Sequence, residues 1–339
     1  MIAVVTGASG FIGRNLVRRL LSRGAEVRCL VRPRGGRAPE GAAAFPVSYD
    51  DQRSLDRCHA FDGADVVFHL GGATRAVGER QFERANVAPT RMLLRAITER
   101  RAGPRFVYVS SQSAAGPAAP GQSVTEDDAP APREAYGRSK LAAERVVQGF
   151  SDRVSTTIVR PCAVFGPWDS GFLALFRLAR AGWLIYPGVE RHEMSLLYVD
   201  DVVDGLVSAA REKAAIGRTY FLASRSTVTW GQLGQHISAA LGVSPRAVNL
   251  PIGLVSAASV VGEWVGRLTG TAPLLSKSRA VLAAQPRWVC SGSRAGIEIH
   301  FNPARALPDA IRETYLWYVQ SGWMSAARGA APASPASQS

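Results

Sequence analysis

Lysine is nearly absent from this sequence. Only Lys140, Lys213 and Lys277 occur among 40 basic residues in a chain of 339, leaving 37 arginines against 27 acids. The formal charge of +13 suggests a nucleic-acid binder, but the clustered lysines and aromatic platforms of such proteins are missing, and no nucleic-acid partner is expected. An arginine bias of this size, beside so much alanine and glycine, reads as the coding habit of a GC-rich genome. Single arginines therefore carry little information, and single lysines carry more.

Cysteine is scarce as well. Cys29, Cys58, Cys162 and Cys290 are scattered without a CxxC, and the five histidines form no HExxH. This argues against a zinc site or disulfide framework, predicts no bound metal, and fits a reducing compartment, with a cytoplasmic location as the expectation. Met1 leads straight into "IAVVTG", a strand pattern that leaves no room for a signal peptide. Long apolar runs are missing too. Nothing approaches the ~18 residues of a membrane span, and "PIGLVSAASVVG" at 251–262 is followed by Glu263.

What is present, in the first half, is an alternation of β-branched runs with helical patterns. Strands are predicted at "IAVVT", "EVRCLV", "FPVSY", "DVVFHL", "RFVYVSS" and "TTIVRP", with helices at 11–23, 85–101 and 136–149. That order predicts an α/β, doubly wound parallel sheet, with ligands beyond the carboxyl ends of its strands. Beyond residue 166 the alternation fades into a loop-rich aromatic region. A helix over "LLYVDDVVDGLVSAA" capped by Asp200, a strand at "RTYFLAS" and a helix at "TWGQLGQHISAALG" follow. The expected organisation is a dinucleotide-binding domain at 1–166, a substrate region at 167–325 with some elements returning to the first domain, and a disordered tail at 326–339.

Three patterns carry chemistry. "VVTGASGFIGRNL" puts Gly7, Gly10 and Gly13 at the turn from the first strand into the first helix, in the spacing TGxxGxxG. Glycines let the backbone approach a pyrophosphate, and the helix N-terminus offers free N–H groups. "AYGRSKLAAERVV" sets Tyr136 and Lys140 on one helix face. A neighbouring ammonium favours the phenolate, and an arginine could not be tuned in this way. "FVYVSSQSAAG" ends a strand with Ser110 and Ser111 at the ligand-binding edge, where a hydroxyl can orient a carbonyl.

Together these residues resemble the extended short-chain dehydrogenase/reductase family, the NAD(P)-dependent epimerase/dehydratase group. "TGASGFIG", "DVVFHLGGAT", "ANVAPT", "YVSSQSAAG", "YGRSK", "VRPCAVFGP" and "YVDDVVDGL" carry the resemblance, in family order, over about residues 1–240. It implies a Rossmann-type fold and a catalytic triad of Ser111, Tyr136 and Lys140, with Lys140 also holding the nicotinamide ribose. Around the cofactor it places Gly7, Ser9, Gly10, Phe11, Ile12, Gly13, Leu70, Gly71 and Asn86, with Pro161 and Val164 along the nicotinamide. Ser48 stands where the family usually has an aspartate for the adenine, and "AAG" replaces the family's "VYG".

The C-terminal part "PRWVCSGSRAGIEIHFNPARALPDAIRETYLWYVQSGWM" is similar to the 3β-hydroxysteroid dehydrogenase and dihydroflavonol reductase-like branches, and no "RPGD" segment is visible. The resemblance implies an oxidoreductase interconverting a secondary alcohol and a ketone on an apolar ring or lipid-like small molecule. A nucleotide-sugar epimerase or dehydratase is the alternative, and a non-catalytic nucleotide-sensing relative is a third reading. A homodimer through the helices at 85–101 and 136–149 is in the family's habit. Leu254, Val255, Ala258, Val261, Val265 and Leu268 fall on one helical stripe, so 251–268 either packs on its own domain or forms a lid or weak membrane-surface contact.

About 20 residues beyond the glycine turn, NAD-specific folds keep an acid for the ribose 2′-hydroxyl. Here the end of "EVRCLV" is followed by Arg32, with Arg34 and Arg37 next and no acid among them. A guanidinium binds a 2′-phosphate bidentately where a carboxylate would repel it. NADP(H) is therefore the preferred cofactor, with NAD(H) as the other option.

Overall fold

The computed structural model describes residues 1–76, 78–100, 103–257, 259, 281 and 285–325. Positions 258, 261, 265 and 268 of the predicted stripe and the predicted tail at 326–339 lie outside the described residues.

A seven-stranded sheet forms the centre: β1 (Ile2–Thr6), β2 (Glu26–Val31), β3 (Ala43–Pro46), β4 (Val66–His69), β5 (Arg105–Val109), β6 (Thr156–Pro161) and β10 (Thr219–Leu222). Its order is β10-β6-β5-β4-β1-β2-β3, and every pairing is parallel. The strand order reverses between β1 and β4, which creates the crevice where such sheets bind ligands. Period-two alternation feeds two separate cores. Ala3, Val5, Val66, Phe68, Val107 and Val159 face one side, while Val4, Val67, Phe106, Tyr108 and Ile158 face the other.

On the first side lie α1 (Phe11–Ser22) and α7 (Val199–Arg211), burying Leu16, Val17 and Leu20 with Val202, Val203 and Leu206. The second side is covered by α4 (Ala88–Thr98) and α5 (Ala135–Gln148), through Leu93, Leu94, Ile97, Ala143 and Val147. A third core joins Phe165, Leu173, Phe176, Met194, Leu196, Val228, Leu233, Ile311, Tyr315 and Tyr318 in a smaller C-terminal lobe.

That lobe corrects two expectations. The region read as loop-rich contains α6 (Ser170–Arg180), capped by Asp169, and strands β8 (Trp183–Pro187) and β9 (Glu193–Tyr198). Asp200 is not a cap, because α7 begins at Val199 with Tyr198 at the capping position. Asp200 sits in the first turn and pairs with Arg18 at 3.0 Å, while Asp204 pairs with Arg19 and Arg23 of α1. Its acids favour that end of the helix dipole.

Many arginines have structural partners. Arg28 donates to the carbonyls of Ala60 and Asp62, Arg100 to those of Asp56 and Cys58, and Arg105 to those of Ala210 and Glu212. Arg28 is thereby committed inside the fold and is no phosphate ligand in waiting. Among the described residues no helix is long and apolar enough to cross a membrane, and no group of His, Cys, Asp and Glu could hold a metal.

Candidate active site

The glycine turn is a cradle of bare backbone. Gly7 adopts φ +69°, and a Cβ there would stand 2.8 Å from the Gly71 nitrogen and 2.9 Å from the Leu70 carbonyl carbon. A Cβ on Gly13 would stand 2.1 Å from the Gly7 oxygen. Both contacts are with backbone, so no side chain fits at either position. Gly10 occupies the N-cap of α1 and supplies no side-chain bond, so the N–H groups of the first turn, at Phe11, Ile12 and Gly13, lack a side-chain cap. A helix start left open in this way, closed off by glycines and packed against the loop after β4, fits a dinucleotide pyrophosphate.

Arg32 lies just past the end of β2, exposed, with no hydrogen bond or ion pair among the described residues; Arg34 and Arg37 are exposed beside it. Ser48 is half-buried on the loop after β3, where its Oγ accepts from the Asp50 N–H and its own N–H donates to Ser54. Leu70 and Gly71 follow β4 directly, and the Gly71 N–H donates to Thr6 Oγ1 at 2.9 Å. Pro161 closes β6, and Val164 lies in β7 (Ala163–Phe165), packed where the first and third cores meet.

Across the crevice the chemistry-bearing side chains sit at the end of β5 and the start of α5. Glu134 caps α5, accepting from the N–H groups of Tyr136 at 2.5 Å and Gly137 at 2.7 Å, and so fixes where the tyrosine projects. Ser111 is the N-cap of a short turn over Gln112–Ala114, its Oγ accepting from the Ser113 N–H. The phenol of Tyr136 is pushed up to about 12 by burial, with a hydrogen bond from Ser111 pulling it partly back. This differs from the sequence expectation. Where Lys140 was expected to lower the phenol, burial raises it, and the neighbouring serine opposes that rise.

Lys140 is buried, donates from Nζ to the Val109 carbonyl at 2.8 Å, and lies 4.9 Å from the centre of the Tyr108 ring. Burial lowers its ammonium to about 8, against the opposing pull of Glu144. The two serines separate by direction. Ser110 donates to Glu144 Oε1 at 2.5 Å, deep in the fold, where Arg160 grips both carboxylate oxygens at 2.9 and 2.6 Å. Ser111 is the one left beside Tyr136.

Asn86 belongs to a π-helical turn, Glu83–Val87, a geometry that clusters at functional sites. Its Oδ1 accepts from the Ala73 N–H at 2.7 Å and its Nδ2 donates to the Ala73 carbonyl and to Ser139 Oγ. Sequence reasoning missed Glu134, Glu144, Arg160 and the buried set of Thr6, His69, Thr90 and Ser139. The available signal was His69 itself, a polar residue ending an otherwise apolar strand.

The comparisons agree with this geometry. A ceramide reductase of Caulobacter vibrioides is 29% identical over 329 residues, covering 95% of this chain and 96% of that protein. A 4-hydroxy-2-methyl-3-oxo-4-farnesyl-3,4-dihydroquinoline-1-oxide ketoreductase of Stigmatella aurantiaca is 30% identical over 277 residues, covering 79% of this chain and 81% of that protein. In structure, UDP-glucose 4-epimerase of Thermotoga maritima, solved with UDP-glucose, superposes with a TM-score of 0.78 over 95% of this chain and 99% of that one; at 20% identity it shares the fold. Residues 3–223, holding the glycine cradle, Ser111, Tyr136 and Lys140, match the NAD dependent epimerase/dehydratase family. The chain is a member of that family, an NAD-dependent oxidoreductase or epimerase of the extended short-chain dehydrogenase type.

Proposed function

We propose that this enzyme reduces a ketone on an apolar, lipid-like substrate to a secondary alcohol, with NADP(H) preferred over NAD(H). One observation carries the chemistry: Ser111 hydrogen-bonds the Tyr136 phenol, which burial pushes up to about 12, so the phenol is protonated at neutral pH and able to give its proton to a carbonyl oxygen. The reductive direction follows the relatives named as a reductase and a ketoreductase. When bound, the reduced nicotinamide supplies the hydride that the carbonyl carbon accepts. Ser111 donates a hydrogen bond to the carbonyl oxygen, and Tyr136 delivers its proton to that oxygen as negative charge grows there. Lys140 holds the ribose and keeps a positive charge near the phenolate that results, which regains its proton from water.

The substrate class rests on the relatives' names and on the site's small residues. The relatives are named for ceramide, a farnesyl dihydroquinoline and 3-beta-hydroxysteroids, each with an extended apolar body. Ala114 and Ala115, shortly after the catalytic serine, stand where the family often carries an aromatic, and both are buried small residues. The cofactor preference rests on Arg32, exposed past the end of β2 with no ion pair among the described residues and no acid beside it in the sequence.

Tyr136→Phe tests the mechanism. Ketone reduction should fall about a thousandfold, while the cofactor dissociation constant stays within about twofold. Wild-type turnover in that variant would overturn the assignment.

A further inference from the structure

We propose that His69 is a positioning residue, the centre of a buried hydrogen-bond chain that ties the cofactor loop after β4 to the helix bearing Tyr136 and Lys140. The inference rests on the reading of this crevice as a nicotinamide dinucleotide site.

The chain is laid out by geometry. His69 ends β4 and is 1% exposed. Its Nδ1 lies 2.6 Å from Thr6 Oγ1 and its Nε2 lies 2.9 Å from Thr90 Oγ1. Thr90 Oγ1 also lies 2.7 Å from the Asn86 carbonyl, which can only accept. The single hydroxyl proton of Thr90 is therefore spent on that carbonyl, and Nε2 must donate to Thr90. Nδ1 is then bare and accepts from Thr6, whose oxygen takes the Gly71 N–H. Only this tautomer satisfies every contact.

The result is a directed series from Gly71 through Thr6, His69 and Thr90 to Asn86. Asn86 continues it, clamping Ala73 from both sides and donating to Ser139, whose hydroxyl bonds the Tyr136 carbonyl at 2.7 Å. Gly71 is the residue whose backbone closes on Gly7, so one end of the series shapes the cofactor floor. The other end shapes the start of α5. Burial keeps the ring neutral down to about pH 3, which removes acid–base chemistry from its role and leaves orientation.

The imidazole links Gly71 to Thr90 beside the direct Asn86–Ala73 clamp, and a double-mutant cycle measures the link through the imidazole. Thr6→Val, Thr90→Val and the double variant are titrated with NADPH and NADH by fluorescence, with no ketone present, so failure of the substrate assignment leaves the test intact. Each single variant should weaken the tighter cofactor about tenfold, as expected when a buried polar partner is lost. The double variant should also lose about tenfold rather than a hundredfold, since one broken link already frees the series. Thr6→Ser and Thr90→Ser should restore wild-type binding. Independent, multiplying losses would overturn the proposal, as would a lowered melting temperature in Thr90→Val with cofactor binding unchanged.

Discussion

The two banks of the crevice are made of opposite materials. On the β1 side the surface is backbone: glycines, an uncapped helix start and a loop packed so closely that a methyl group has no room. On the β5 side it is buried side chains, among them a lysine held near pH 8, a phenol held near 12 and an arginine–glutamate pair with 5% and 1% exposure. Backbone N–H groups bind a fixed anion without needing to change protonation. A proton delivered to substrate requires titratable groups whose surroundings set their state. Damage to the first bank should therefore appear in cofactor affinity, and damage to the second in turnover and its pH dependence.

The largest effect is expected from Arg160→Met, which leaves the buried Glu144 carboxylate without its cation. Chemical denaturation should show a loss of about 3 kcal/mol or more. Adding Glu144→Leu should recover part of it, because no lone charge then remains. Gly13→Ala comes next, with its Cβ forced onto the Gly7 carbonyl; about 1–3 kcal/mol of stability and most cofactor affinity should go, with any remaining bound enzyme turning over normally. Arg32→Glu should cost NADPH about tenfold or more in kcat/KM, near 1.4 kcal/mol, while NADH improves or holds. An unchanged NADPH preference would remove Arg32 from the site.

A pH titration also separates the banks. Lys140 has a native pKa of about 8 against 10.5 when unperturbed, so between those values the unfolded chain binds the more protons. Stability therefore rises with pH across that window. On the proposed role of Lys140 at the ribose, its ammonium is lost over the same window, so turnover should fall as pH passes 8. Lys140→Met should remove the stability rise. Parallel curves for stability and turnover in the wild type would contradict this account.

Legibility from the sequence followed the same division. The cradle is one contiguous string, "TGASGFIG", and Tyr136 with Lys140 sit one helical turn apart, so both could be read from spacing alone. Ser111 could be chosen over Ser110 only by resemblance; the reason, Ser110 turning back to Glu144, lies in the packing of β5 against α5. The His69 series was illegible because Thr6, His69, Asn86, Thr90 and Ser139 come from separate elements, and its logic is a hydroxyl's proton count. The missed helix α6 is different. Asp169 caps it, and Leu173, Phe176 and Ala179 recur at helical spacing, but neighbouring aromatics and glycines masked the period. The lysine scarcity was informative: of three lysines, the one at the crevice is buried with its charge in use.

The central claim is net reduction of an apolar ketone at the second bank using cofactor held by the first. Its most direct test is the stoichiometry of wild-type enzyme with NADPH and either a long-chain acyl-amide ketone, a sterol ketone or UDP-glucose. The account predicts one alcohol formed for each NADPH consumed with an apolar ketone, and no conversion of UDP-glucose. Conversion of UDP-glucose with no net change in cofactor would contradict it.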